Sequence, residues 1–248
     1  MKVFFKTIVL LLVFTLFTST AVLAKSENAE KSLVALGDSI PYGFNLGQTN
    51  STTSKYAFPY LIGEEAGFRV RNLAEPGWTT GDLLQALEEQ KYRQAVKHAD
   101  YITLNIGSND LIQALKAAYI GSGGNVQLLL PLLNKQVNDS QFFANLGSII
   151  TEIRSLTDAP VVVYNVYNPF QTMHPLHKVA NAALPSINGQ LLWLQTYENV
   201  IVADAFGAFG QNQAIYILPG DVEPDVHPTI AGQEKLAEIG LEALKLSY

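Results

Sequence analysis

A serine near the start of the chain and a histidine near its end are the residues best suited to carry out chemistry. Ser39 follows the short apolar run 32–36 and a glycine, and His227 lies two residues after Asp225. A serine hydroxyl is a weak nucleophile at neutral pH and needs a base, usually a histidine oriented by a carboxylate. Ser39 and His227 are therefore candidates for acyl transfer, although Gly-Asp-Ser taken alone is equally typical of a turn.

Three further groups could hold the oxyanion that develops during acyl transfer. They are the backbone N–H groups of Ser39 and Gly77 and the side-chain amide of Asn109. Each lies just past the carboxyl end of a predicted strand, and consecutive β-α units place those ends along one rim of a parallel sheet. Taken one at a time, a turn at Gly77 and a helix cap at Asn109 are the more common roles.

The remaining histidines show no spacing typical of a metal site. His98 lies in a helical stretch rich in Lys and Ala and is predicted at the surface, while His174 and His177 lie in a loop that contains proline. The chain contains no H-E-x-x-H pair, so we expect neither a metal nor another cofactor. It also lacks the G-x-S-x-G segment, which argues against the α/β-hydrolase fold.

Alternating strands and helices must position these residues. Apolar or β-branched runs too short for solvated helices predict buried parallel strands, and amphipathic runs between them predict helices. The arrangement predicts an α/β protein, a three-layer α/β/α sandwich around a five-stranded parallel sheet in a single domain, 25–248. The predicted strands are 32–36, 69–73, 101–106, 160–166 and 200–204. The predicted helices are 56–66, 83–90, 184–197 and 230–246. A further helical portion runs from Leu111 to Leu156, with breaks at Gly121–Asn125, at Pro131 and around Asn138.

The first 24 residues are typical of a secretory signal peptide. Lys2 and Lys6 precede or flank an apolar run at 8–17, and small residues before Ala24 suit cleavage there. A retained membrane anchor is disfavoured because the run is shorter than the roughly 20 residues that span a bilayer. We therefore expect a secreted protein with no stable membrane anchor. The absence of cysteine excludes disulfides and a lipid-modified cysteine.

The charge of the chain argues against nucleic acid as a partner. The 248 residues carry 16 basic and 22 acidic side chains, a net charge of −6, and loss of Lys2 and Lys6 with the leader changes it to −8. Binding a phosphate backbone requires clustered Lys and Arg, and here the basic residues are scattered. The net negative charge indicates a soluble protein and does not indicate a substrate.

Four segments of the chain together resemble the sequence blocks of the SGNH, or GDSL, hydrolase family, from about residue 32 to the C-terminus. The resemblance implies a flavodoxin-like fold, Ser39 as nucleophile and oxyanion donor, Gly77 and Asn109 as the other oxyanion donors, and His227 as general base. In order, the segments are Gly37-Asp38-Ser39-Ile40, Asn72-Leu73-Ala74-Glu75-Pro76-Gly77, Gly107-Ser108-Asn109-Asp110 and Asp225-Val226-His227-Pro228.

The chain departs from the family pattern at two positions. Ile40 replaces the leucine of the family name, which is a conservative change. The family's acid commonly stands three residues before the histidine, and that position is Pro224 here. Asp225 is the preferred candidate for the acid, with Asp221 and Glu223 as alternatives. A backbone carbonyl that orients the imidazole is the remaining alternative.

The resemblance implies a serine carboxylic ester hydrolase, an esterase, lipase or acylhydrolase that acts on lipid-like or short-chain acyl esters. Aromatic residues near the serine, Tyr42 and Phe44, could line an acyl pocket together with the loop 165–175, or they could pack back on the core. A carbohydrate O-acetylesterase that acts on cell-wall or plant polysaccharide is the alternative enzyme. A secreted binding protein on a hydrolase scaffold is the non-enzymatic alternative, and the sequence does not determine an oligomeric state.

Overall fold

Five parallel strands form the centre of the part of the chain that the structure, a computed structural model, describes: residues 30–220 and 224–245. Their order is β2-β1-β3-β4-β5, with every neighbouring pair parallel. This confirms the predicted flavodoxin-like sheet, and the chain reverses its direction of strand addition between β1 and β3. The strands are β1 (Ser32–Gly37), β2 (Arg69–Asn72), β3 (Tyr101–Asn105), β4 (Val161–Tyr164) and β5 (Val200–Ala203).

Helices cover both faces of the sheet, as the three-layer prediction requires. Twelve helical segments occur in the described residues, one of them a 3₁₀ helix. They are α1 (Ser39–Tyr42), α2 (Phe58–Ala66), α3 (Thr80–Ala86), α4 (Gln90–Lys97), α5 (Ser108–Ser122), α6 (Val126–Asp139), α7 (Phe142–Leu156), α8 (Leu176–Leu191), the 3₁₀ helix Leu192–Thr196, α9 (Ala205–Phe209), α10 (Gln213–Tyr216) and α11 (Ile230–Ala243).

Alternate residues of the strands divide the core into two clusters. In β4, Val161 and Val163 face the cluster formed with α3 to α8, whereas Val162 and Tyr164 face the cluster formed with α2, α9 and α11. Side chains of a strand point alternately to the two faces of its sheet, so a strand covered on both faces is apolar throughout. The sheet edge differs, because β2 exposes the charged side chains of Arg69 and Arg71 and thereby discourages pairing with another strand.

Several predicted helix limits were wrong. The helix predicted at 83–90 is two helices, because α3 ends at Ala86 and α4 begins at Gln90. Pro131 was expected to break a helix but lies inside α6, whose residues Leu129, Leu133 and Val137 are buried at helical spacing. Burial of that face outweighs the hydrogen bond that proline cannot donate.

The last third of the chain is more helical than predicted. Helix α8 begins at Leu176, well before the predicted start at 184, so His177 belongs to a helix and not to a loop. Helices α9 and α10 were not predicted because each has at most five residues and too short a run to show a period. Among the described residues, no helix is both long and apolar enough to cross a membrane.

Candidate active site

The turn after β1 presents Ser39 at the carboxyl edge of the sheet. Gly37 has a φ of 149°, and a Cβ there would lie 1.9 Å from the carbonyl oxygen of Asn105, so only glycine fits between β1 and β3. Asp38 then caps α1, since its Oδ1 accepts a hydrogen bond from the N–H of Ile40 at 3.0 Å. Ser39 is consequently the first residue of a short helix, with its side chain directed into a cleft beside the sheet.

His227 contacts this serine although 188 positions separate the two residues. Its Nε2 lies 2.9 Å from Oγ of Ser39, and its Nδ1 lies 2.5 Å from Oδ1 of Asp225. A carboxylate can only accept, so the proton of the neutral imidazole resides on Nδ1 and Nε2 is free to accept the serine proton. The two side chains of the His–Asp pair are each 16% exposed, and limited solvent strengthens their interaction.

Asp225 occupies the position two residues before the histidine and is held by three donors. Its Oδ1 also accepts the backbone N–H of His227 at 2.9 Å, and its Oδ2 accepts the side-chain amide of Asn45 at 2.8 Å. Partial burial of Asp225 favours the neutral acid, but these bonds and the nearby imidazole outweigh burial and hold the pKa of the carboxyl below its usual range. The other two candidate acids, Asp221 and Glu223, lie outside the described residues.

The loop that carries His227 is anchored on both sides. The N–H of Leu218 donates to the carbonyl of His227 at 2.9 Å, and Ile217 forms an antiparallel bridge with Pro228. The hydroxyl of buried Tyr167 donates to the carbonyl of Val226 at 2.8 Å. These bonds fix the backbone immediately before and after the imidazole, so that the ring is positioned before a substrate arrives.

The two remaining candidate oxyanion donors border the same cleft. Gly77 lies in the loop after β2. A Cβ at this position would meet no atom within 4 Å, so crowding does not require a glycine here; the φ of 84° does, because residues with a side chain rarely adopt it. Asn109 lies in the first turn of α5, and its Nδ2 donates to the carbonyl of Trp78 at 2.8 Å. An amide nitrogen has two hydrogens, so this bond orients Asn109 and leaves a second donor.

An apolar cavity of about 260 Å³ opens beside these groups. Ser39, Gly77, Asn109 and His227 all line it. Apolar side chains line the remainder; they include Leu111, Ile112 and Leu115 of α5, Leu133 of α6, and Val179, Ala180, Ala183, Leu184 and Ile187 of α8. Such a cavity can hold an apolar group whose reacting atom lies at the serine.

A family model for the GDSL-like lipase/acylhydrolase family matches residues 35–235. The chain belongs to that family. A relative of this GDSL-like hydrolase is the spore germination lipase LipC of Bacillus licheniformis, which is 26% identical over 85% of this chain and 97% of its own.

Two solved structures share the fold of this GDSL-like hydrolase. The extracellular lipase of Streptomyces rimosus superposes with a TM-score of 0.68 at 23% identity, over 86% of this chain and 99% of the other. A catalytic mutant of Axe2, an acetylxylan esterase from Geobacillus stearothermophilus, gives a TM-score of 0.60 at 18% identity, over 88% of this chain and 95% of the other. The family match, rather than these structures, makes the protein a lipase- or acylhydrolase-like hydrolase.

The two aromatic residues that follow Ser39, Tyr42 and Phe44, have different surroundings in the structure. Phe44 lines the cavity, with its ring 5.0 Å from the imidazole of His227. Tyr42 is buried and donates its hydroxyl hydrogen to the carbonyl of Asn50 at 2.9 Å, so it packs back on the protein. From the second loop, Tyr167 and Phe170 line the cavity, whereas Met173 is exposed.

The other three histidines of this GDSL-like hydrolase lie elsewhere. His98 is exposed at the end of α4, as predicted, and half-buried His174 stacks on Phe170. His177 is buried, and its Nδ1 lies 2.8 Å from the carbonyl of Phe170, which marks a structural residue. In the ranges that the structure describes, no group of three or more His, Cys, Asp or Glu side chains could hold a metal ion.

Sequence reasoning missed Asn45 and the contribution of α8. Asn45 lies in a loop rich in Gly, Asn, Ser and Thr, and nothing local marks it as the partner of a residue 180 positions away. For α8 a signal was present, because Leu176, Ala180, Ala183 and Ile187 recur at three- or four-residue spacing. Pro175 and Pro185 concealed this helical spacing, because proline is usually taken to end a helix.

Proposed function

We propose that this protein is a serine carboxylic ester hydrolase that works through an acyl-enzyme on Ser39. The observation that carries the proposal is the contact of His227 Nε2 with Ser39 Oγ at 2.9 Å, while Nδ1 of the same ring contacts Asp225 at 2.5 Å. A nucleophile, a base and an acid that orients the base are thus within hydrogen-bond reach of one another. A binding protein has no need of this arrangement.

In the first half of the reaction, Ser39 Oγ attacks the carbonyl carbon of the ester while His227 Nε2 takes the hydroxyl proton. The carbonyl oxygen becomes an oxyanion, and we assign its donors as the N–H groups of Ser39 and Gly77 and the amide of Asn109. The carbon–oxygen bond to the alcohol then breaks, and the alcohol leaves with the proton from His227. The product is an ester between the acyl group and Ser39.

In the second half, a water molecule attacks the acyl carbon as His227 Nε2 takes one of its protons. The bond to Ser39 Oγ breaks, the serine recovers its proton from His227, and the carboxylic acid is released. Asp225 stays ionised throughout and stabilises the imidazolium in both halves, in keeping with a pKa held below the usual range. All proton transfers use one imidazole.

Within this activity we propose lipid-like or other apolar acyl esters as the substrate class. The apolar lining of the cavity beside Ser39 supports an acyl group that carries a hydrocarbon chain. Hydrolysis of O-acetyl groups on polysaccharide is the alternative, and an acetyl group would leave most of a 260 Å³ cavity unfilled. Comparison of acetylated glycans with apolar acyl esters as substrates separates the two.

We also propose that the protein acts outside the cell, with residues 1–24 removed as a signal peptide. The support is the sequence alone, a basic start, an apolar run and small residues before Ala24, because residues 1–29 lie outside the described part of the chain. Amino-terminal sequencing of protein from culture medium should begin near Lys25. Retention of residues 1–24 on the protein would contradict this proposal.

Substitution of Ser39 by alanine tests the mechanism. We expect Ser39→Ala to lower kcat for a chromogenic ester by at least about 10³-fold, with an unchanged melting temperature. Ser148→Ala on the exposed surface of α7 serves as the matched control and should retain full activity. A fluorophosphonate should add mass to the peptide that contains Ser39 in the wild type only. Undiminished hydrolysis by Ser39→Ala would show the mechanism wrong.

A further inference from the structure

The cavity beside Ser39 extends well beyond the reacting groups. Besides Ser39 and His227, its lining includes residues of α5 and α8 and Leu133 of α6. Helix α6 packs against both α5 and α8. The cavity is therefore bordered by residues of three helices, α5, α6 and α8, as well as by the groups around Ser39.

Small side chains on α8 keep this space open. Ala180 and Ala183 line the cavity together with apolar residues of α5, among them Leu111 and Leu115. Ala183 is only 2% exposed, so its methyl group is enclosed by the protein, and a larger side chain at this position would extend into the cavity. Larger side chains in place of these two alanines would therefore reduce the room in the cavity.

The lining has the chemistry of a hydrocarbon site. Apart from Ser39, Gly77, Ser108, Asn109 and His227, the residues that border the cavity are aliphatic or aromatic, among them Ile187 and Leu133. Burial of each methylene group of a ligand in such surroundings improves binding about fourfold, the factor that corresponds to about 0.8 kcal/mol. A polar sugar would lose hydrogen bonds to water here without replacement.

We propose that this cavity is the acyl site and that it accepts unbranched acyl chains of medium length. An apolar cavity of about 150 Å³ accommodates benzene, so one of 260 Å³ accommodates about ten carbons. Chains of this length fill the space between Ser39 and α6, shorter chains forgo contacts, and much longer chains must leave the cavity. The proposal rests on the ester hydrolase function proposed above and adds its acyl specificity, with Ala180 and Ala183 as the residues that limit chain length.

A series of p-nitrophenyl esters from acetate to palmitate tests the proposal. We expect kcat/KM of the wild type to rise from acetate to a maximum near decanoate and to fall towards palmitate. Ala183→Leu should lower kcat/KM for decanoate at least about tenfold and leave butyrate within about twofold. Ala180→Leu, at a less buried position, should also lower kcat/KM for decanoate relative to butyrate. This variant replaces Ala183→Leu in the test if Ala183→Leu folds poorly.

Ala182→Leu is the matched control, because Ala182 lies on the exposed side of the same helix and does not line the cavity. Its chain-length profile should equal that of the wild type. A maximum at acetate, or an unchanged decanoate-to-butyrate ratio in folded Ala183→Leu and Ala180→Leu proteins, would overturn the acyl-site proposal while Ser39-dependent hydrolysis stood. Failure of the wild type to hydrolyse any ester in the series, or hydrolysis by Ser39→Ala, would instead overturn the proposed function.

Discussion

Asn45 and Asp225 are joined by a hydrogen bond of 2.8 Å from the amide of the first to Oδ2 of the second. The other carboxylate oxygen, Oδ1, is occupied by His227. Asn45 is itself fixed, because Asn50 accepts its backbone N–H at 2.8 Å and donates to its side-chain oxygen at 2.9 Å. The loop after Ser39 therefore orients the acid that orients the base, and both ends of the proposed triad depend on the same segment of chain.

Removal of the Asn45 amide should lower kcat about tenfold, the effect of one hydrogen bond to a charged group. Asn45→Gly is the suitable variant because Asn45 has a φ of 64°, a conformation that glycine adopts without strain. The pKa of Asp225 should rise when this donor is lost. KM should change little, since Asn45 does not line the cavity. Steady-state kinetics on an acyl ester measure both parameters.

Thr49→Ala in the same loop is the control for Asn45→Gly. Thr49 is exposed, and its hydroxyl bonds only Ser51 among the described residues, so kcat should stay at the wild-type value. Equal kcat values for Asn45→Gly and the wild type would show that Asn45 has no part in positioning Asp225.

Replacement of the acid itself should have a larger effect. Asp225→Asn keeps the shape of the side chain but no longer requires the proton on Nδ1 of His227, so we expect kcat to fall about 10³- to 10⁴-fold. Asp221→Ala and Glu223→Ala should retain wild-type kcat, because Asp225 already contacts the imidazole at 2.5 Å. Loss of activity in either of those variants with Asp225→Asn active would assign the acid elsewhere.

The strands and the place of Ser39 just beyond one of them could be predicted from the sequence because both depend on local pattern. The run before Ser39 is continuously apolar, as a strand covered on both faces must be, and it ends at a glycine that the sheet geometry requires. Gly77, Asn109 and His227 were predicted in another way, from four segments that together resemble one family. The structure places all three of these residues on the cavity beside Ser39.

Features that depend on distant residues could not be predicted. The Asn45–Asp225 bond connects loops 180 positions apart, and the composition of a loop does not reveal its partner. The start of α8 at Leu176 and the continuity of α6 through Pro131 result from burial against other helices, which overrides local propensity. The size of the cavity depends on which residues of α8 line it, and that follows only from the packed structure.

Asn109 should contribute to kcat rather than to KM. Its second amide hydrogen is assigned to the oxyanion, which exists only after attack on the ester carbon, so the interaction is absent when the substrate merely binds. We expect Asn109→Ala to lower kcat about 10²- to 10³-fold with little change in KM. Gln113→Ala, one turn later on α5 and exposed, is the control. An increase in KM at constant kcat would contradict the assignment.

Asp38, which precedes Ser39, is a completely buried carboxyl group. Its Oδ1 accepts from Ile40, but its Oδ2 has no hydrogen-bond partner among the described residues. Burial, with a smaller contribution from the charge of Asp110, raises the pKa of Asp38 to about 7. The folded protein therefore binds a proton at mildly acidic pH that the unfolded chain, whose pKa is near 3.8, has already lost.

The stability of the protein should consequently decrease as pH rises from about 4 to about 7, by an amount on the order of 4 kcal/mol from Asp38 alone. Above that window the penalty stays constant, because both states are then ionised. Asp38→Asn retains an oxygen that can cap α1 and has no titrating group. The free energy of unfolding of this variant, relative to that of the wild type, should therefore increase between pH 4 and 7 and level off above it. Urea unfolding of both proteins across this range measures the difference, to which the other titrating groups contribute equally and cancel. A difference that does not change with pH would show that Asp38 titrates alike in the folded and unfolded states.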